Sequence, residues 1–441
     1  MSEHPLEWAL TLFADVRAGE AATALLLTAN VFLLLTAYYL LKVAREPLIL
    51  VGGGAEVKSY ASVGQSILLV FVTSAYGWLA SRVGRMPLIA WTTAIFVANL
   101  VGFWALGERG VPLGVPFFLW VGIFNLMSIA QFWSFAADVY TDEQGKRIFP
   151  VIGIGSSVGA VAGAWIAGAL VKLGPFRLML IAAALLIACL GLTYLVHRRE
   201  TDPRPAAAGS HDESEKKDEA APVGRANGFK LLLADRYILL FAAVLFVLNF
   251  VTKTGDYVLD RWLLDAAHGH GDASAYVGEF KARYFAWSNG FGVVCQLFFV
   301  SRIIKHLGIR WALYLMPLAS LAGYGSTFVA PVLGVLFVAR VVESGLDYSL
   351  WNTTRNALWL VTSREAKYKV KQIIDTFVVR VGDAFSAGLV WVGVRWHLHL
   401  PTFIAVNVAF SALWLFLVIL LAREHGRRAT PGETSAARPS A

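Results

Sequence analysis

The sequence predicts an all-α polytopic membrane protein, with twelve transmembrane helices in two six-helix repeats. The first observation is composition, because 57% of the residues are hydrophobic and 15% are charged, against about 45–50% and 25% in soluble domains. The second is length, since twelve passes of about 20 residues use about 240 of the 441 residues. The third is a pair of similar segments, Ser81–Arg85 and Ser301–Arg310, which lie about half a chain apart.

Each predicted helix is an apolar run that ends at polar or charged residues. The first run resumes after a charged interruption and extends as far as Leu50 if that interruption is helical. The runs are 24–43 (or 24–50), 60–80, 88–106, 114–137, 149–171, 178–196, 238–257, 285–300, 311–330, 332–350, 374–394 and 402–421.

Basic residues set the predicted orientation. Cytoplasmic termini put about 15 Lys and Arg residues in cytoplasmic loops and the tail, and about 8 on the opposite side. Lys58 and Lys281 are among the loop residues of that opposite side. The net charge of +8 is therefore a topology signal and does not indicate nucleic-acid binding. We expect a multi-pass protein of the plasma (inner) membrane with both termini cytoplasmic.

Polar segments divide the chain into domains. Residues 198–228 are rich in Ala, Pro and charge, and they have too little apolar surface to fold alone. The predicted parts are a cytoplasmic N-terminal segment (1–23), a six-helix bundle (24–197), a cytoplasmic linker (198–228), a second six-helix bundle (229–422) and a disordered cytoplasmic tail (423–441).

A short loop motif follows the second predicted helix. Gly77–Met86 reads GWLASRVGRM and resembles the loop motif of the major facilitator superfamily, G-x-L-A-D-R-x-G-R-R, with Ser81 where an Asp is usual. The resemblance implies the major facilitator fold, in which the substrate site lies between the halves near mid-membrane. Arg82 and Arg85, with Asp138 at the end of the fourth helix, are gating candidates of this region.

Charged residues inside the apolar runs are the other functional candidates, because a charge at bilayer depth costs at least about 2.5–3.5 kcal/mol. They lie mainly on the first, seventh, tenth and eleventh helices. The substrate-binding candidates are Tyr38, Lys42, Arg45, Glu46, Lys253, Asp256, Asp260, Arg340, Arg355 and Arg380, and the coupling or gating candidates are Glu343, Asp347, Asp375 and Asp383, with Asp138, Arg82 and Arg85.

Two of these groups have a structural alternative. Lys42, Arg45 and Glu46 share one helix face, and the alternative is an interfacial helix end whose charged groups reach the lipid headgroups. Glu343 and Asp347 fit an ion-pair network between helices as well as a direct role in substrate or proton binding.

Other motifs indicate structure and not chemistry. Gly153–Gly159 looks like a dinucleotide fingerprint, but no strand precedes it and its last glycine is displaced by one residue. Gly155, Gly159 and Gly163 lie four residues apart, which is typical of close helix packing. The sequence has no P-loop, and its His, Cys, Asp and Glu residues do not have the spacing of a known metal-binding motif. We therefore expect no enzymatic activity, no metal and no cofactor.

Several charged segments resemble the ATP:ADP antiporter family, the bacterial and plastid-type nucleotide transporters. Leu41–Leu50 (LKVAREPLIL) is similar to that family's first-helix motif, in which basic-x-x-basic-acidic precedes an apolar run. Asp347–Asn356 (DYSLWNTTRN) resembles its tenth-helix stretch, K-Y-S-L-F-D-P-x-K-E. Lys367–Asp375, Arg380–Asp383 and the loop 138–150 are similar to further segments of the family, in the same order.

The resemblance implies exchange or import of nucleotides by alternating access. In that family's pattern Lys42 and Arg45 would contact substrate phosphates, Glu46 would orient them, and Arg355 would be a second basic contact. These residue types suit the task, because Arg offers a bidentate fork to phosphate oxygens and Lys a compact charge.

The sequence also departs from the family. Asp347 stands where Lys is usual, Asn352 where Asp is usual and Asn356 where Glu is usual, which changes the charge of the cavity. We therefore expect a secondary transporter of nucleotides or related phosphorylated organic anions, with an anionic small molecule as its partner. The alternatives are a proton-coupled major facilitator transporter of an unrelated solute, and a degenerate transporter that acts as a membrane receptor or assembly partner.

Overall fold

The computed structural model of the chain describes residues 20–201, 232–362, 366 and 370–429. Most of the predicted N-terminal segment, linker and tail lies outside these residues. The predicted boundaries of the two bundles at the linker therefore stay a prediction.

Within the described residues the chain forms twelve long helices. Two pairs are continuous stretches broken at one glycine, Gly54 with φ 90° and Gly308 with φ 78°, a left-handed conformation that glycine reaches without strain. The helices are α1 (21–53), α2 (55–80), α3 (Arg85–Gly107), α4 (Gly114–Val139), α5 (Asp142–Leu170), α6 (Pro175–Thr201), α7 (Arg236–Ala267), α8 (273–307), α9 (309–329), α10 (333–358), α11 (371–395) and α12 (Leu400–Ala429).

The predicted all-α membrane fold is confirmed. Eight helical stretches of the described residues are long and apolar enough to cross a membrane, and two of these stretches contain the pairs α1–α2 and α8–α9. The helices α10 and α11 are absent from that set because π-helical turns, Asp347–Trp351 and Ile374–Val378, divide them into shorter α-helical pieces. A third π-helical turn, Cys295–Val300, lies within α8.

The described residues fall into two compact units. The first unit comprises residues 20–201 together with Asp260–Gly290, which is the end of α7 and the first part of α8. The second unit comprises residues 232–259 and 291–429. Side chains from the seventh and eighth helices therefore belong to the same compact unit as the first six helices.

In the first unit the α1–α2 stretch packs against α4, α5 and α6. The glycines of α5 allow this approach: a Cβ atom at Gly159 would lie 2.5 Å from the carbonyl oxygen of Phe32, and one at Gly163 would lie 2.7 Å from Cα of Thr36. The predicted packing role of these glycines is confirmed.

In the second unit an ion pair joins the start of α7 to the end of α12. Arg428 donates to both carboxylate oxygens of Asp235, at 2.6 and 3.0 Å. Burial favours the protonated acid, but Arg428 and the backbone N–H groups of Tyr237 and Ile238 outweigh it and hold the pKa of Asp235 below its ordinary value. On the neighbouring helices, the hydroxyl groups of Ser320 and Ser411 lie 3.0 Å apart and join α9 to α12.

The glycine contacts of α5 give a stability prediction. We expect Gly159→Val to lower the free energy of unfolding by about 1–3 kcal/mol, because the added side chain overpacks the contact with α1. Thermal unfolding in detergent measures this. Gly153→Val is the matched control on the same helix, since no atom lies within 4 Å of a Cβ there. Equal loss of stability in both variants would contradict the packing role.

Candidate functional site

Four charged side chains of the first unit form a closed ring of alternating charge, which we call the charged ring: Glu46, Lys58, Asp260 and Lys281. Nζ of Lys58 lies 2.5 Å from Glu46 and 2.7 Å from Asp260. Nζ of Lys281 bonds to Asp260 and lies 3.8 Å from Glu46. All four are largely buried, and the most exposed, Lys58, has a side-chain exposure of 14%. Each lysine thus bridges both carboxylates, so the charged ring is internally neutralised.

Two further basic residues of α1 lie next to the charged ring. Nε of Arg45 lies 3.1 Å from Oε1 of Glu46, and its guanidinium lies over the Phe118 ring. Lys42, one helical turn before Glu46, is buried with its ammonium over the rings of Tyr39 and Phe285 and 5.8 Å from that of Tyr38. These charged groups lie among protein side chains, whereas the interfacial alternative requires an exposed helix end.

Contacts between α1 and α8 continue beyond Lys42. The Tyr39 hydroxyl donates to Oδ1 of Asn289 at 2.9 Å. Lys281, Phe285 and Asn289 are spaced by four residues, so they share one face of α8. The amide nitrogen of Asn289 is buried and has no hydrogen-bond partner among the described residues. Glu46, Lys42 and Tyr39 thus contact α8 at three successive levels.

The second unit holds a different network around Arg340. This side chain is 2% exposed, and its two terminal nitrogens lie 2.5 Å from Glu343 and 2.5 Å from Asp256. The Tyr324 hydroxyl accepts from Arg340 and donates to Glu343, both at 3.1 Å. Thr252 donates to Glu343 at 3.5 Å. Arg340 and Glu343 therefore fit the structural alternative, an ion-pair network between helices, and they hold α7, α9 and α10 together.

The other predicted residues of the second unit lie apart from this network or at its edge. Asp347 opens the π-helical turn of α10, and Arg355 and Lys253 are among its charged neighbours. Arg380 and Asp383 form an ion pair at 3.4 Å along α11. The side chain of Asp375 lies outside the described part of the chain, as do Lys367 and Lys369 of the motif that precedes it.

Two of the three gating candidates of the first unit, Arg85 and Asp138, contact each other. Arg85 lies 2.7 Å from Asp138, which joins α3 to the end of α4. Arg82 lies over the Trp78 ring, with 4.1 Å between its guanidinium carbon and the ring centre. Arg85 of this loop therefore has a carboxylate partner in Asp138, although Ser81 replaces the usual aspartate of the motif.

The loop assignment of Lys58 and Lys281 is wrong, because both lie inside helices. The helices α2 and α8 begin at residues 55 and 273, well before the predicted apolar runs at 60 and 285. Charged residues near the start of each helix interrupt the apolar pattern, but ion pairing neutralises Lys58 and Lys281. The sequence repeat contains a signal for these partners. Lys58 and Lys281 lie 223 residues apart, and Glu46 and Asp260 lie 214 residues apart, so both separations are near the repeat offset of about 220.

The twelve helices and the charged residues among them agree with a family assignment. The sequence pattern of the Major Facilitator Superfamily matches residues 21–367. The chain belongs to the major facilitator superfamily. It is therefore a multi-pass membrane transporter of a small-molecule substrate and not an enzyme.

This major facilitator protein is similar to nucleotide carriers along most of its length. It is 20% identical to ADP,ATP carrier protein 5 of Rickettsia bellii (strain RML369-C), over 78% of this chain and 72% of that protein. It is 21% identical to ADP,ATP carrier protein 2 of Chlamydia pneumoniae, over 91% and 88%. The resemblance that the charged motifs predict is thus confirmed for the chain as a whole. The crystal structure of nucleoside transporter NupG has a TM-score of 0.65 at 12% identity, over 90% of this chain and 98% of that one, and shows the fold alone.

The Arg340 network yields a second stability prediction. We expect Arg340→Met to lower the free energy of unfolding by about 3–5 kcal/mol, because Glu343 and Asp256 lose a buried countercharge. Thermal unfolding without substrate measures this. Arg380→Met is the control, since the Arg380 side chain is 41% exposed and its ion pair with Asp383 is worth about 1 kcal/mol or less. A stable, well-folded Arg340→Met protein would contradict the structural role.

Proposed function

We propose that this transporter exchanges nucleotides or related phosphorylated organic anions across the membrane. The observation that carries the proposal is the charge of the buried region around α1. The charged ring and the two basic residues beside it together have four basic side chains and two carboxylates: Lys42, Arg45, Lys58 and Lys281, with Glu46 and Asp260. A phosphate monoester carries a charge of about −1.5 to −2 at pH 7, so one such group balances the excess of positive charge over these residues.

Lys42 and Arg45 are the proposed phosphate contacts. Lys58 and Lys281 each engage both carboxylates of the charged ring. Lys42 and Arg45 lie beside the ring, Lys42 over aromatic rings and Arg45 next to Oε1 of Glu46. A guanidinium and an ammonium one turn apart suit a phosphate chain, because Arg binds two oxygens at once and Lys adds a point charge.

The aromatic rings beside Lys42 suit a substrate that has an organic part, such as a base, next to its phosphate groups. Tyr38, Tyr39 and Phe285 surround its ammonium group at 4.2–5.8 Å from their ring centres. Stacking of a base on an aromatic side chain contributes about 1–3 kcal/mol. The similarity to proteins named ADP,ATP carriers supports the same substrate class.

The test is transport by the purified protein in liposomes. Labelled ATP, ADP and inorganic phosphate are added outside vesicles that contain ADP or no counter-substrate. We expect nucleotide uptake that requires internal ADP and persists when a protonophore removes the pH gradient. Absence of flux with every nucleotide and phosphate tested would refute the proposal.

The phosphate contacts make a sharper prediction. We expect Lys42→Met and Arg45→Gln each to lower Vmax/KM for exchange about 10–100-fold, because each removes a charge-assisted contact of about 1.5–3 kcal/mol. Lys172→Met is the matched control, since Lys172 is an exposed lysine after α5. Normal exchange in both site variants would eliminate these contacts, even if nucleotide transport itself is observed.

Proton coupling is the second candidate function, and one observation favours it. Asp256 and Glu343 share the single Arg340 guanidinium, and the Asp256 side chain is 39% exposed. A proton that neutralises Asp256 would weaken its contact with Arg340, so protonation is linked to a contact between α7 and α10. Uptake that stops when the pH gradient collapses, and is insensitive to Lys42→Met, would support this candidate.

A further inference from the structure

The charged ring follows the two repeats of the chain. Its acids, Glu46 and Asp260, lie on the first helix of each repeat, and its lysines, Lys58 and Lys281, lie on the second helix of each repeat. Every neighbour around the ring has the opposite charge. The same acid-then-lysine pattern therefore occurs twice, once in each half of the sequence.

Two kinds of ion pair make up the ring. Glu46–Lys58 at 2.5 Å and Asp260–Lys281 each join two residues of one repeat. Lys58–Asp260 at 2.7 Å and Lys281–Glu46 at 3.8 Å each join the two repeats. If the cross-repeat contacts are broken, each repeat retains one acid and one lysine in direct contact.

With each of the twelve helices counted as one membrane pass, the ring lies on the side opposite the start of α1 and the end of α12. The break at Gly54 follows one pass of the chain, and the turn between α7 and α8 follows seven, so both are on that side. Ring residues lie within nine residues of these turns, which is about 14 Å along a helix. Lys42 lies one helical turn from Glu46, deeper along α1.

We propose that Lys58 and Lys281 are gating residues, and that the charged ring closes this side of the transporter and opens by dividing into two neutral ion pairs. Residues 260–290 then separate from the first six helices, while Glu46 keeps Lys58 and Asp260 keeps Lys281. No buried charge loses its last partner during opening, which is the costly event for an ion pair in an apolar environment. This proposal depends on membership of a transporter family and is independent of the identity of the substrate.

Other contacts of the 260–290 segment would part together with the ring. Phe285 would leave Lys42, and Asn289 would leave Tyr39. Near the helix ends, Gly278 packs against Val171, the residue that follows α5. Val171 is buried, so its exposure reports on the position of α8.

The experiment measures labelling of Val171→Cys by a maleimide in detergent solution, where both sides of the protein are accessible. Valine to cysteine removes volume, so the substitution does not crowd Gly278. The protein with only its two native cysteines, Cys189 and Cys295, supplies the background, since both are buried. We expect slow labelling of the reporter in the otherwise unchanged chain.

Exchanging charges tests the ring directly. In E46K/K58E the pair within the first repeat stays neutral, but both cross-repeat contacts become like-charge pairs, and we expect labelling at least about tenfold faster. D260K/K281D produces the same change from the second repeat and the same result. The four substitutions together restore alternation, and labelling returns to within about threefold of the reporter alone. Doubles as slow as the reporter, or a quadruple variant as fast as the doubles, would overturn the proposal.

A neutral variant covers the case in which the double exchanges do not fold. D260N/K281Q removes one pair as a unit and leaves Glu46–Lys58 and Glu46–Arg45 in place, so we expect a folded protein that labels faster than the reporter alone. Unchanged labelling in this variant would overturn the proposal. Thermal unfolding of each variant checks the fold. The measurement uses no substrate, so its outcome is separate from that of the nucleotide-exchange assay.

Discussion

A charge buried among transmembrane helices needs a partner, and this requirement limits how the charged helices of the chain can move. In the first unit Glu46 is fully buried, and it is neutralised by side chains of α1, α2 and α8 at once. In the second unit Arg340 is neutralised from α7 and from its own helix. A movement that separates either residue from every partner is strongly disfavoured, so the permitted movements are those that preserve neutral pairs.

The two units differ in how their buried charges balance, and the difference bears on function. In the second unit Arg340 contacts Asp256 and Glu343, and Arg355 and Lys253 are among the charged neighbours of Asp347, so three basic groups lie with three carboxylates. The region around α1 instead has more basic than acidic side chains. This difference is the reason for proposing phosphate binding at α1, and for proposing that the network around Arg340 is a support or a proton-linked contact.

Most of the fold could be predicted from the sequence, because hydropathy and glycine spacing are local properties. The apolar runs gave the helices, and Gly155, Gly159 and Gly163 gave the contact of α5 with α1. The partners of the charges could not be predicted in this way. An apolar run ends at the first charge, which predicts loops at Lys58 and Lys281. Neutralisation by distant carboxylates instead allows both to be helical, with Lys281 buried and Lys58 largely buried. Comparing the two repeats position by position is the signal that would have found them.

Glu46 connects the proposed phosphate contact to the proposed gate. Its Oε1 accepts from Arg45, whereas its Oε2 faces Lys58 and Lys281. An anion that binds Arg45 competes with Glu46 for that guanidinium, and Glu46 then has only the two lysines to neutralise it. Its attraction to Lys281, the partner from the other repeat, becomes stronger, so substrate binding favours the closed ring. Release of the anion returns Arg45 to Glu46, and the cross-repeat contact becomes easier to break. The two proposals together predict that substrate and gate are coupled through the Glu46 carboxylate.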